Sequence, residues 1–199
     1  MIDTIIFDFG NVFINLAEEA PFEHMRKLGL VCWNEDLDNL NKRYEKGKIK
    51  EADFFNGLHK YIPNKDLKEI RDAWNAILLD FPLYRLEFLQ RLSSQYRLFL
   101  LSNTDATHIE KFESKVGETF SREFYQCFEK VYFSFEIGLR KPDPEIFNYI
   151  IKKHELSPKR TLFVDDNKHN TEVAANLGLN IWNLQVGKED VVDLLDKKW

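Results

Sequence analysis

The sequence predicts an α/β fold, a doubly wound parallel sheet with an all-helical segment inserted into it. Three observations carry this. From Leu83 onward, short apolar runs alternate with helical patterns, the texture of strands joined by right-handed crossovers. One earlier run, Ile5-Ile6-Phe7, is cut off from the others by a long stretch without a convincing strand. The strand runs are unbroken rather than alternating with polar residues, so they are buried on both faces.

The first strand lies in "TIIFDFGNVFINL" and ends at Asp8. Open parallel sheets bind ligands at that end of their strands. The carboxylate either works there or caps a turn before Gly10 and Asn11, both turn formers. The letters DFG do not signal a kinase. Seven residues before Asp8 leave no room for a Gly-rich loop or a strand lysine.

From about Ala17 to Phe81 the apolar residues keep helical spacing. Phe22, Met25 and Leu28 precede Gly29, and Leu37, Leu40 and Tyr44 precede Gly47. Phe55, Leu58 and Ile62 follow, then Leu67, Ile70, Trp74 and Ile77. Glycines just past such stripes suit helix C-termini. The expected division is a core of residues 1–15 and 82–199 and a helical domain of residues 16–81.

Leu83 to Leu92 then reads as a helix and "RLFLLS" (Arg97 to Ser102) as a buried strand. Ile109, Phe112 and Val116 mark the next helix, and "KVYFS" (Lys130 to Ser134) the third strand. In "DPEIFNYIIKKH", Asp143 is the expected N-cap and Pro144 the first helical residue, with Ile146, Phe147, Ile150 and Ile151 facing inward. "TLFVDD" is the fourth strand, a helix closed by Gly178 follows, and "NIWNL" is the fifth strand. "EDVVDLLDKKW" reads as a terminal helix.

Composition bounds the function. Of 199 residues, 44% are hydrophobic and 17 are phenylalanine, ample for a folded core. The net charge of -5, from 28 basic and 33 acidic residues with no basic block, disfavours a nucleic-acid partner. No apolar run approaches a membrane span, and the chain enters its first strand directly, so a cytoplasmic protein without a membrane partner is expected. Cys32 and Cys127 show neither metal-ligand nor disulfide spacing and read as reduced, buried thiols. The expected assembly is a monomer or weak homodimer.

Three strands end in chemically loaded residues: Asp8, then Ser102-Asn103-Thr104, then Asp165-Asp166. The ends of parallel strands share one edge, so these groups converge. Converging carboxylates repel unless a hard cation sits among them, and oxygen ligands favour Mg²⁺, which usually keeps water and a substrate phosphate in its shell. Ser102 and the amides after it suit phosphate oxygens. Lys141, in the Gly- and Pro-rich turn "GLRKPDPEIF", supplies positive charge for them.

Together these motifs resemble the haloacid dehalogenase superfamily, in particular its phosphatases with a helical cap, over nearly the whole chain. "FDFGNVF" matches the motif of the nucleophilic Asp with Asp8, "LFLLSNT" the Ser/Thr motif with Ser102, "GLRKPDPEIF" the Lys motif with Lys141, and "LFVDDNKHNTEVAANLGL" the paired acids with Asp165 and Asp166. The resemblance implies a Rossmann-like core, a cap over residues 16–81, and hydrolysis of a small phosphorylated metabolite through an aspartyl phosphate on Asp8. It also implies Mg²⁺ held by Asp8, the Gly10 carbonyl and Asp165, with Asp166 on metal waters or Lys141. Ser102, the Asn103 amide and Lys141 would bind the phosphoryl oxygens.

The departure is at Gly10, where most phosphatases of this superfamily carry a general acid worth ~10²–10⁴-fold. "DFGNV" resembles a bacterial subgroup that includes phosphatases of glucose 1-phosphate, whose anomeric leaving group needs less protonation. A sugar phosphate is therefore the expected substrate. Two alternatives stand beside this: a haloacid dehalogenase-type hydrolase, which would not need "VDDN", and a non-enzymatic binding module. Among secondary candidates, His108 and Asp105 are placed at a site rim. Glu45 and Lys46 are placed in a turn reaching the site, and Trp74 and Asn75 on its opposite wall. His24, His59, His154 and His169 show no ligand pairing.

Overall fold

The computed structural model describes residues 1–198. Five strands form one sheet: β1 (Thr4–Phe7), β2 (Arg97–Ser102), β3 (Lys130–Phe133), β4 (Thr161–Asp165) and β5 (Asn180–Asn183). Their spatial order is β3-β2-β1-β4-β5, and every pairing is parallel. The first strand in sequence is thus the middle one, with β2 on one side and β4 on the other. The sheet is buried on both faces, as the unbroken apolar runs predict. Ile5, Phe7, Leu98, Leu100, Leu162 and Val164 pack into one cluster, and Ile6, Phe99, Leu101 and Phe163 into the other.

Helices cover both faces. On the first lie α5 (Leu83–Ser93), α6 (Ala106–Val116) and α7 (Glu118–Gln126), which bring Leu89, Phe112 and Phe124 to the sheet. On the second lie α9 (Pro144–Lys153), with Ile146, Phe147 and Ile150, and α10 (Lys168–Asn176), with Ala174. A four-residue turn of helix, α8 (Ser134–Ile137), follows β3. Among the described residues no helix is long and apolar enough to cross a membrane.

Between β1 and α5 stand α1 (Ala20–Leu28), α2 (Glu35–Glu45), α3 (Glu51–His59), α4 (Leu67–Trp74) and a 3₁₀ turn, Asn75–Ile77. They enclose a cluster of their own, including Met25, Leu37, Tyr44, Phe54, Leu58 and Ile70, that shares no buried residue with the two sheet clusters. Asn34 caps α2, and a reciprocal pair, Asp66 with Glu69, caps α4. An antiparallel bridge between Leu16 and Leu78 ties the two ends of this insertion together.

Several expectations change. The terminal helix is instead a 3₁₀ helix, Val191–Asp196, whose buried Val191 and Leu194 are three apart, the repeat of a 3₁₀ turn. Trp199, in the same stretch, lies outside the described residues. Ser134 starts α8 rather than ending β3, because its hydroxyl serves the Thr104 backbone, accepting from N–H and donating to O. The Asp143 side chain caps nothing and pairs with Lys46 at 2.8 Å. Cys32 is exposed and Cys127 half-buried, so the free thiols are not core residues. Helix α7 is an addition; Phe120 and Phe124 carry its apolar stripe.

One contact fixes how the insertion meets the core. Gly47, at φ 61°, lies against the carbonyl of Phe135 so closely that a Cβ would overlap the oxygen. Gly47→Ala adds both a left-handed backbone penalty and a clash with a backbone atom, which has little freedom to yield. It should lower stability by about 1–3 kcal/mol in a denaturant titration. An unchanged midpoint would show that this loop is not seated on α8.

Candidate active site

The parallel register does the first part of the assembly. Phe7 pairs with Val164 in β4 and with Leu100 in β2, so the chain segments leaving these three strands emerge together. The carboxylates of Asp8, Asp165 and Asp166 offer oxygen atoms within 4.8 Å of one another. Into this group projects Lys141, a lysine only 1% exposed. Its Nζ lies 2.8 Å from Asp8 Oδ1 and donates to Asp165 Oδ2 at 2.7 Å.

The lysine is held from behind. The Asn103 side chain donates through Nδ2 to the Lys141 carbonyl and accepts the Lys141 N–H through Oδ1, both at 2.8 Å. Asp165 is fixed as firmly: Asn170 Nδ2 reaches both its oxygens, at 3.2 and 3.0 Å, and the Asn167 N–H donates to Oδ1 at 2.8 Å. Asn11, at φ 55°, donates from Nδ2 to Asp166 at 2.8 Å and to Glu18 at 2.9 Å. A left-handed backbone is tolerable for Asn, and here it aims the amide at the acids. The sequence marks Asn11 as a turn former and gives Asn167 and Asn170 no role, although "DDNKHN" places amides one and four residues beyond the acids.

A cavity of about 250 Å³ opens beside these groups. Asp8, Gly10, Ser102, Asn103 and Asp166 line it, while Lys141 and Asp165 lie buried without lining it. Of the amides following Ser102, that of Thr104 is committed to Ser134 Oγ at 3.0 Å. The facing wall comes from the helical insertion and includes Phe22, Asn41, Glu45 and Trp74. Glu45 and Trp74 thus stand where the sequence placed them. Lys46 turns away to Asp143, and Asn75 is buried off the cavity.

His108 also lines the cavity, but both its nitrogens are engaged, Nδ1 3.2 Å from Asp105 Oδ2 and Nε2 3.2 Å from the Trp74 carbonyl. Asp105 is no rim residue. It is 1% exposed, caps α6 through the His108 N–H and accepts from the Trp74 indole at 3.0 Å.

The electrostatics leave room for a cation. One ammonium faces three carboxylates, a surplus of negative charge. Burial, with Asp165 and Asp166 adding to it and Lys141 opposing, raises Asp8 to about 7. Burial likewise pushes Asp166 up, against the Asn11 hydrogen bond. Lys141 stays above the ordinary lysine value despite burial, because Asp165 and Asp8 hold its proton. An all-oxygen donor set with excess negative charge fits a hard divalent ion such as Mg²⁺.

Residues 2–178 match the model of the haloacid dehalogenase-like hydrolases. The chain belongs to this family. Among its relatives, a D-ribitol-5-phosphate phosphatase of Bacteroides thetaiotaomicron is 28% identical over 95% of each chain. A family enzyme of the same organism, solved as a magnesium complex, is 36% identical over 98% of this chain and 99% of its own, with a TM-score of 0.87. Its complex with magnesium and inorganic phosphate covers 95% of this chain and 97% of its own at 36% identity, with a TM-score of 0.83.

The raised Asp8 value has a stability consequence. Below about pH 4 the group is protonated in the folded and unfolded chain alike. Between about 4 and 7 the fold keeps a proton that the unfolded chain gives up, so stability drains away as pH rises, and above 7 the full penalty applies. The shift of about three units corresponds to roughly 4 kcal/mol at most. In chelator at pH 8, Asp8→Asn should therefore melt at a higher temperature than the unaltered protein, with the gap closing toward pH 4. Added Mg²⁺ should raise the melting temperature of the unaltered protein more than that of the variant. Equal pH profiles for the two proteins would refute the desolvated carboxylate.

Proposed function

We propose that the chain is a Mg²⁺-dependent phosphomonoesterase with Asp8 as nucleophile, acting on a small sugar or polyol phosphate. The observation that carries the reading is the buried Lys141 ammonium bridging Asp8 and Asp165 beside a third acid, with Asp8 and Asp166 lining a cavity of about 250 Å³. A site with one cation for three carboxylates repels a phosphate dianion until a divalent ion is present. When bound, Mg²⁺ would neutralise that charge and polarise the phosphoryl oxygens.

The chain's own residues supply the rest. Lys141 orients Asp8 so that one oxygen faces the cavity. That oxygen attacks phosphorus in line, the bond to the leaving alcohol breaks, and an acyl phosphate forms on Asp8. Water then attacks the phosphorus, releasing inorganic phosphate and regenerating the carboxylate. Ser102 and the Asn103 N–H hold phosphoryl oxygens, and Asn103's grip on the Lys141 peptide keeps both groups in register. Asp8, the Gly10 carbonyl and Asp165 would hold the metal, with Asp166 on its waters. The helical insertion acts as a cap that excludes water from the leaving group.

The cavity is small beside the ~300–1,000 Å³ of typical ligand pockets, which fits a compact metabolite. The similarity to a D-ribitol-5-phosphate phosphatase supports the same class. A dehalogenase has no use for the third acid and its surplus charge, so the phosphatase reading is the stronger.

Turnover of p-nitrophenyl phosphate should vanish in chelator and return with Mg²⁺, and Asp8→Asn should reduce it by at least about 10³-fold. Phosphate release that is indifferent to chelation would exclude the reading.

Gly10 generates a second expectation. With no carboxyl at this position, single-turnover rates should rise steeply as the leaving group becomes more acidic, aryl and anomeric phosphates outpacing simple alkyl ones. A side chain at Gly10 would meet Leu16 Cδ1 at 2.6 Å, so Gly10→Asp should be paired with Leu16→Ala to give it room. The double variant should flatten the dependence, up to ~10²-fold for the poorest leaving groups. Rates already flat in the unaltered protein would mean that a general acid is at work elsewhere.

A further inference from the structure

The cavity wall opposite Asp8 contains an unfinished hydrogen-bond arrangement. Asn41 and Glu45 sit one turn apart on α2 and both line the cavity. Asn41 Oδ1 and Glu45 Oε2 are buried and make no hydrogen bond. Glu45 Oε2 does lie 2.9 Å from Arg140 Nη2, an ion pair by distance but without the direction of a hydrogen bond. The one link between the two residues, Asn41 Nδ2 to Glu45 Oε1, is long at 3.5 Å.

A buried acceptor without a donor is costly, and although Arg140 Nε beside Glu45 is also unpaired, it leaves Asn41 Oδ1 unserved, so this cavity wall has room for a ligand that supplies donors. Both atoms are shielded from solvent, although their side chains line the cavity. A turn of either side chain would aim its free oxygen at a donor on a molecule in the cavity.

We propose that Asn41 and Glu45 read hydroxyl groups on the leaving group and so restrict the site to polyhydroxylated phosphates. This rests on the phosphatase reading and names the residues that select within it. A hydroxyl is the fitting group for three reasons. It donates to Glu45. It donates or accepts at Asn41, whichever way that amide is turned. It brings no charge to a carboxylate that Arg140 already neutralises, whereas an ammonium would compete with Arg140. The lining also has an apolar part, with Phe22, Ile77, Leu78 and Ile109, which suits the carbon face of a sugar or polyol. A site built to bond a hydroxyl rejects the analogue without it far more strongly than a merely apolar pocket does, because closure leaves its polar groups unpaired.

The test compares kcat/KM for a pentitol 5-phosphate, n-pentyl phosphate and 5-aminopentyl phosphate. The unaltered protein should favour the pentitol ester by about a hundredfold or more. Asn41→Leu, which keeps the volume and removes the amide, should cut that preference at least about tenfold, and Glu45→Gln should reduce it as well. Lys46→Ala breaks a different cap–core ion pair, away from the cavity, and should move all three substrates by the same factor. Circular dichroism and melting curves check that each variant is folded, and the two cavity variants are read together. Equal rates for the pentitol and pentyl esters, a preference for the amine, or equal losses on all three substrates in both cavity variants would overturn the assignment while leaving a phosphatase. Failure to hydrolyse any phosphate ester, including p-nitrophenyl phosphate, would remove the phosphatase reading and this one with it.

Discussion

The ammonium of Lys141, sealed between Asp8 and Asp165, is the interaction on which the site depends. A lone buried cation would be untenable, and so would two carboxylates at neighbouring strand ends without one. Each makes the other admissible. The surrounding amides then complete the arrangement: Asn103 on the lysine's peptide, Asn170 and Asn167 on Asp165, Asn11 on Asp166. These are neutral groups, so they fix orientation without cancelling the surplus negative charge that a divalent ion would meet. The parallel register of β2, β1 and β4 is what makes this possible, since it delivers groups distant in sequence to one edge.

The helical insertion meets this edge along a seam of polar links rather than a continuous apolar interface. Tyr44 shares a hydrogen bond with Thr107, Trp74 donates to Asp105, Lys46 pairs with Asp143, Glu45 with Arg140, and Arg71 with Glu110. The ion pairs among these links lie near solvent and can be replaced by water, whereas a merged core would have to be torn open. A seam of this kind suits a unit that must separate to admit a ligand and return over it.

Most of the sheet and its edge could be read from residues alone. The strands are buried on both faces, which leaves unbroken apolar runs such as "IIF" and "LFLL", and acids ending such runs stand out. What could not be read depends on side-chain direction and on contacts between distant segments. Glu45 and Lys46 are sequence neighbours about 100° apart around a helix, so one faces the cavity and the other faces Asp143. Trp74 and Asn75 divide in the same way. Asp105 reads as a rim acid beside Ser102, yet the indole of the insertion buries it. The tail reads as a helix because Val191, Val192, Leu194 and Leu195 crowd together, but only Val191 and Leu194 are buried in the core, with Val192 partly buried against it and Leu195 exposed. Asn41 gives no signal at all; it is one polar residue on a polar-faced helix, and only the fold sets it opposite Asp8.

The insertion's separate core has a consequence for how such a protein can change over generations. Because Met25, Leu37, Phe54 and their neighbours share no buried partner with the sheet, a substitution that repacks the helices leaves the strand edge where it was. Drift in one half reaches the other mainly through the few contacts of the seam, such as those of Tyr44, Trp74 and Gly47. The residues facing the leaving group sit in the half that is free to vary, and the residues facing phosphorus in the half that is not. On the proposed reading, a change of specificity would need steps in α2 rather than at the strand edge.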